Sequence, residues 1–219
     1  MARRGVLVPL GSVEQHGPHL PLDTDTRIAV AVARGAAAAR PGVVAAPPVA
    51  FGSSGEHAAF PGTLSIGTHA LGSVLVELGR DAIRDWEALL LVNGHGGNAG
   101  AVSAAVHRLR AEGRRCAAFH VAPGSGDAHA GLTETALLLH LAPEVVRLDL
   151  LEAGERRPVS ELMDRLRRDG VRSVSANGVL GDPRGATAGE GRRLFEELIA
   201  GCLASLDALL AIPEPALAG

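Results

Sequence analysis

Short apolar runs alternate with polar loops punctuated by Gly and Pro along this chain. Val6–Leu10 is continuous and closes at Gly11, as a buried strand does. Thr24 or Asp25 can cap a helix that runs to about Arg40, where Pro41-Gly42 stops it. Val43–Phe51 reads as extended, made irregular or edge-like by Pro47-Pro48. Gly52–Thr68, rich in Gly, Ser, His and Pro, is too long for a mere connector. From Ala70 to about Glu87, Leu71, Val74, Leu75 and Leu78 recur at helical spacing. Ala88–Val92 is uninterrupted apolar sequence, the pattern of a strand buried on both faces. Asn98 opens a helix to about Glu112, Cys116–Val121 is a strand, and Pro123–His129 is a loop. Glu134–Leu141 is a short apolar helix. Glu144–Ala188 is the least regular region, with turn signals at Ala176-Asn177-Gly178 and Gly181-Asp182-Pro183. Gly191–Ala211 is a long final helix and Pro213–Gly219 a frayed tail.

Strands alternating with helices in this order predict an α/β fold, a mostly parallel sheet with helices on both faces. In such sheets ligands bind beyond the carboxyl ends of the strands. Three ligand-rich loops start there, after Leu10, Val92 and Val121. No repeat or boundary interrupts the chain, so residues 1–219 are expected to form a single domain. Its 219 residues are 47% hydrophobic and 21% charged, enough for a real core. With four Phe, one Trp and no Tyr, that core must be built from Ala, Val and Leu. A net charge of -3 without a Lys/Arg block argues against nucleic acid as a partner. Cys116 and Cys202 lie in apolar segments and read as small core residues in a reducing compartment. The apolar run after Arg3-Arg4 is broken by Pro9 and Gly11, too short for a signal segment or a membrane span. A cytoplasmic protein is the expectation.

The loop Gly11-Ser12-Val13-Glu14-Gln15-His16-Gly17-Pro18-His19-Leu20-Pro21-Leu22-Asp23-Thr24-Asp25 carries more ionisable groups than a core can use. Carboxylate oxygen and imidazole nitrogen are preferred ligands of divalent metals. Glu14 and His16, two residues apart in an extended loop, point the same way and can face one cluster. Asp25 stands at a helix start, where backbone N–H groups favour an anion and a carboxylate can bridge two cations. His95 lies in a second loop, Asn93-Gly94-His95-Gly96-Gly97-Asn98, among glycines that permit close approach. Two ions about 3.5–4 Å apart can polarise a carbonyl and activate water, the usual equipment for amide hydrolysis. Glu134 is either a helix cap or a further ligand. His129, in a Gly/Ala loop, suits a general acid or base, or is a surface histidine. His19 reads as a loop brace. His57, beside Glu56, either contacts substrate or supports the loop. His69, His107, His120 and His140 read as packing or surface residues. No phosphate-loop pattern is present.

These two loops, together with His129-Ala130-Gly131-Leu132-Thr133-Glu134-Thr135, resemble the creatininase (creatinine amidohydrolase) family over about the first two-thirds of the chain. The resemblance implies a three-layer α/β/α domain and a binuclear metal amidohydrolase, commonly hexameric. It implies two divalent ions per subunit (Zn, Fe or Mn), with Glu14, His16, Asp25 and His95 as ligands, Asp25 bridging, and His129 as the catalytic histidine. A glutamate that ligates metal in the family, two residues beyond the loop histidine, is replaced here by Gly97, and Glu134 is the substitute within reach. The tryptophans that stack on creatinine have no counterpart, since the single Trp86 is expected in a helix. The segment Phe51–Thr68 resembles the mycofactocin-system subgroup, peptidases that remove a C-terminal Val-Tyr dipeptide from a short modified precursor peptide. Glu56, His57 and Phe60 would then line the substrate entry. Two rivals remain: hydrolysis of a small cyclic amide or formamide, and a metal-binding protein without turnover.

Overall fold

The structure, a computed structural model, describes residues 4–122 and 127–211. Part of the expected Pro123–His129 loop and the whole of the expected tail Pro213–Gly219 lie outside the described residues.

Strands β1 (Gly5–Leu10), β2 (Val43–Ala45), β3 (Leu89–Asn93) and β4 (Cys116–His120) form one parallel sheet in the order β2-β1-β3-β4. Val6 pairs with Val44 on one side and Leu89 on the other, and Leu89 pairs with Cys116. Every residue of β1 and β3 is buried, because both faces carry helices. The helices are α1 (Thr24–Ala38), α2 (Gly67–Ala82), α3 (Ala99–Ala111), α4 (Leu132–Leu141), α5 (Val159–Asp169) and α6 (Ala188–Leu210).

The period-two alternation of the strands sorts the core into two layers. Leu7, Leu90 and Val92 pack with Ile28 and Val32 of α1, Leu137 of α4, and Leu194 and Leu198 of α6. Val6, Val8, Leu89 and Leu91 pack with Leu71 and Leu75 of α2 and with Val102 and Leu109 of α3. The result is a three-layer α/β/α fold. Cys116 and Cys202 are free and buried within these layers, and burial pushes the Cys202 thiol up to about 12.

Several boundaries differ from expectation. β2 spans only three residues, because Pro47 and Pro48 have no N–H to continue the ladder. The chain nevertheless follows β1, with Ala46 N–H donating to Leu7 O and Val49 N–H to Pro9 O, both at 2.9 Å. α2 ends at Ala82, so Trp86 lies beyond the helix, its N–H donating to Ala82 O at 3.0 Å. α4 starts at Leu132 and α6 at Ala188, earlier than read. Thr187 caps α6, its hydroxyl accepting the Glu190 N–H at 3.2 Å. The region expected to be least regular contains α5, bounded by Pro158 and by Gly170 at φ +75°. Val159, Leu162, Met163 and Leu166 stand at helical spacing in α5, a periodic signal inside the region read as irregular, although only Leu162 is buried.

Candidate active site

The carboxyl ends of β1, β3 and β4 share one edge because the strands are parallel, and the ionisable loops converge there. The loop after β1 is pinned by backbone bonds: Glu14 N–H donates to Leu22 O at 3.1 Å and Leu64 N–H to Val13 O at 2.9 Å. Asn98, read from sequence only as a helix start, ties three loops together. Its Oδ1 accepts from Ser53 N–H at 2.8 Å, and its Nδ2 donates to Gly11 O at 3.0 Å and Asn93 Oδ1 at 3.1 Å. These bonds fix the backbone on which Glu14, Glu56, His57 and His95 stand.

Glu14, His16, Asp25, His95 and His129 are all buried in one cluster. His16 Nε2 is 3.1 Å from Asp25 Oδ1 and 3.8 Å from Glu134 Oε2. His95 Nδ1 is 3.4 Å from Asp25 Oδ2, and its Nε2 is 3.2 Å from Glu14 Oε2. Ser12 donates to Asp25 Oδ2 at 2.5 Å. His129 Nδ1 lies 3.7 Å from Glu14 Oε1. His57, itself buried, brings Nε2 to 3.2 Å from the same oxygen. Glu56 Oε1 is 3.3 Å from His95 Nε2. Phe60 is half-buried, with the Arg172 guanidinium 5.4 Å above its ring. His19 braces the loop, Nε2 meeting Thr135 Oγ1 at 2.9 Å, and His120 at the end of β4 meets Asn93 Nδ2 at 3.1 Å.

Glu134, read from sequence as either a helix cap or a further ligand, has two polar neighbours. It accepts the Ala130 N–H at 2.6 Å near the start of α4, and it also reaches His16. Ala130 is the only non-glycine described residue at positive φ, +49°, a strained conformation next to His129. The place a side chain at Gly97 would take is full. A Cβ there would lie 2.2 Å from Glu56 Oε1 and 2.4 Å from both His95 Nε2 and Ser53 O. Glu56 therefore sets a carboxylate against His95 where residue 97 has none.

Burial raises the Glu14 carboxyl to about 7 against the pull of His95, and likewise Glu134 to about 7 against His16. Burial opposes charge on His16, but Asp25 and the two glutamates lift it to about 10. Asp25 stays well below the carboxylate range because His16 and His95 outweigh its burial. Burial and the neighbouring histidines push His57 down to about 4 and His129 well below its usual value. Both oxygens of Glu14 are buried without a hydrogen-bond partner. Three groups offer ligand atoms within 4.8 Å of one another: Glu14–Asp25–His95, His16–His129–Glu134 and Glu14–His57–His129.

Sequence reasoning passed over Gln15, Ser12 and the Gly178–Leu180 segment. Gln15 was available inside the motif, flanked by Glu14 and His16. The other segment had no such signal, because it reaches His129 only through the fold, Leu180 N–H donating to His129 O at 2.9 Å.

Residues 1–206 match the creatininase family, described as creatinine amidohydrolase. The chain is 54% identical over 209 residues to a mycofactocin precursor peptide peptidase of Mycobacterium ulcerans, covering 92% of this chain and 84% of that protein. It is 56% identical over 203 residues to the protein of the same name in Mycolicibacterium smegmatis, covering 90% and 82%. Among solved structures, a putative creatinine amidohydrolase from Bacteroides fragilis superposes with a TM-score of 0.80 at 24% identity, covering 97% of this chain and 92% of that one. A creatininase structure described as its Mn form gives 0.78 at 22%, covering 96% and 92%. The sheet order, the strand-end cluster and these matches agree, and the chain belongs to the creatininase family.

Proposed function

We propose that this chain is a binuclear metal-dependent peptidase that removes a C-terminal Val-Tyr dipeptide from a modified mycofactocin precursor peptide. One observation carries the chemistry: the buried Glu14 carboxylate has no hydrogen-bond partner for either oxygen, amid imidazoles and a second carboxylate. Such a group is costly unless something positive satisfies it. A divalent cation fits the donor set. Glu14, Asp25 and His95 would hold one ion, and His16 and Glu134, with Asp25 3.1 Å from His16, would hold a second. Mixed N/O donors suit Zn, Mn or Fe. Bound there, the ions would supply Lewis-acid polarisation of the scissile carbonyl and a nucleophilic water at neutral pH.

The chain's own groups do the rest. His16 Nδ1–H donates to Glu14 O at 3.1 Å, which turns Nε2 toward Asp25 and Glu134. His129 Nε2–H donates to Gln15 O at 2.8 Å, leaving the Nδ1 lone pair toward Glu14 to take up a proton and pass it to the departing amine. Glu56, His57 and Phe60 line the approach of the peptide end. The names of the relatives support the peptide as substrate. The same reading makes the protein a cytoplasmic homo-oligomer, a hexamer by resemblance to the family. Among the described residues no helix is long and apolar enough to cross a membrane.

The test is incubation with a modified precursor peptide ending in Val-Tyr, read by mass spectrometry. Release of the dipeptide, stopped by a chelator and restored by metal, is expected. Turnover of creatinine or a formamide with the peptide left intact would overturn the assignment.

A further inference from the structure

Gln15 touches two imidazoles from one buried position, and its amide can be oriented without ambiguity. Its Oε1 accepts the Gly17 N–H at 2.8 Å, so its Nε2 is the end that meets Gly178 O at 3.2 Å and His57 Nδ1 at 2.9 Å. Reversing the amide would set two donors together at Gly17 and two acceptors together at Gly178. Gly178 is shaped to this contact. At φ +82°, a Cβ there would lie 2.0 Å from Gln15 Oε1.

The amide orientation decides where the protons lie. His57 Nδ1 must accept from Gln15, so its ring proton is on Nε2, the atom 3.2 Å from Glu14 Oε1. His129 Nε2 lies 2.8 Å from the Gln15 main-chain oxygen, which only accepts, so this ring also carries its proton on Nε2. The 3.2 Å approach of Gln15 Nε2 to His129 Nε2 is then a contact between donors whose protons are committed elsewhere. The rings stand 4.5 Å apart and show Glu14 opposite faces: His57 an N–H, His129 a lone pair.

We infer that Gln15 is a positioning residue that locks His57 and His129 as Nε2–H tautomers, so that His57 turns an N–H and not a lone pair toward the Glu14 side of the cluster, which excludes Glu14–His57–His129 as a cation site. The inference rests on the peptidase reading for its effect on turnover, whereas the proton placement stands on the geometry alone.

Ring nitrogens report the tautomer directly in 15N-histidine NMR of the whole chain, metal-free and zinc-loaded, with His57 and His129 assigned from His→Gln variants. Both rings are expected to carry the proton on Nε2. Gln15→Glu keeps the acceptor for Gly17 but loses the donor, so the His57 proton should move to Nδ1, with kcat about 10–100-fold lower. His57→Gln still offers an N–H and should keep wild-type metal content. A His57 proton on Nδ1 in the wild type, an unchanged His57 pattern in Gln15→Glu, or loss of metal in His57→Gln would overturn the inference. Should Gln15→Glu not fold, the wild-type ring pattern and the His57→Gln metal content still decide. A protein that cleaves no peptide but shows the expected ring pattern would count against the peptidase reading alone.

Discussion

Gly97, where the resemblance implied a ligand, and Glu134, its expected substitute, are the two residues of the site most open to test by substitution. At Gly97 a single methyl has no room, because Glu56 Oε1, His95 Nε2 and Ser53 O already occupy the space. Gly97→Ala should therefore cost about 1–3 kcal/mol of stability as an overpacked site, read as a shifted denaturant midpoint at unchanged slope. Glu134 divides its carboxylate between Ala130 N–H and His16. Glu134→Gln keeps an oxygen for Ala130 but removes the charge. If the residue is a ligand, metal analysis should show less bound metal than in the wild type and dipeptide release should stop. Full metal content with most activity would reduce Glu134 to a cap. Glu14, His16, Asp25, His95, His129 and Glu134 were legible as candidates because three short motifs carry them. Glu56 as the group filling the space at residue 97 was not, since 41 positions separate them and only the loop after β2 folding onto β3 joins them.

At the scale of elements, α2 and α3 are clamped through Glu112, the residue just past α3. Its carboxylate accepts from Arg80 of α2 at 2.5 and 3.0 Å, from Arg108 at 3.0 Å and from Arg114 at 3.3 Å. Those guanidinium bonds hold Glu112 down at about 2 from its ordinary 4.5. A depressed carboxyl contributes stability that is complete above pH 4.5 and lost as pH falls toward 2. Wild type should therefore melt higher than Glu112→Gln at neutral pH, and the gap should close on acidification through that window; thermal melts across pH check it. Exposure and salt keep the effect modest. Element types were readable where the periodicity is strong, as in β1, β3, α2 and α6. α5 carried the same signal, with Val159, Leu162, Met163 and Leu166 at i, i+3, i+4 and i+7 opposite a charged face, and was masked only by the turn residues on either side of it.

For the whole molecule, the site without metal holds protons that a cation bound there would displace. Glu14 and Glu134 are raised to about 7 and His16 to about 10. Raised groups contribute stability below their unfolded values and lose it as pH rises through their folded ones. Stability supplied by these three groups in the metal-free protein should thus fall as pH rises from 4.5 to about 7 for the two carboxyls and from 6.5 to about 10 for His16. His57, pushed down to about 4, acts in the opposite sense only below its ordinary 6.5. Metal affinity should instead increase as pH rises through about 7, with protons released on binding. Calorimetry in buffers of different ionisation enthalpy measures that release. Chelation should lower the melting temperature most at pH above 7, whereas pH-independent affinity would contradict the proton-filled site.

The alternation of apolar runs and turn residues is local information, and it determined the α/β class, the parallel sheet and the edge at which the ionisable loops would meet. Residue types in those loops determined that the site would be rich in nitrogen and oxygen donors. Which atoms face one another was decided only by tertiary structure. Hydrogen-bond direction depends on placement within a few tenths of an ångström, and the partners are far apart in the chain. Asn98 joining Ser53, Asn93 and Gly11, and Gln15 held between Gly17 and Gly178 so that His57 and His129 turn different nitrogens toward Glu14, are products of packing that no spacing along the sequence encodes.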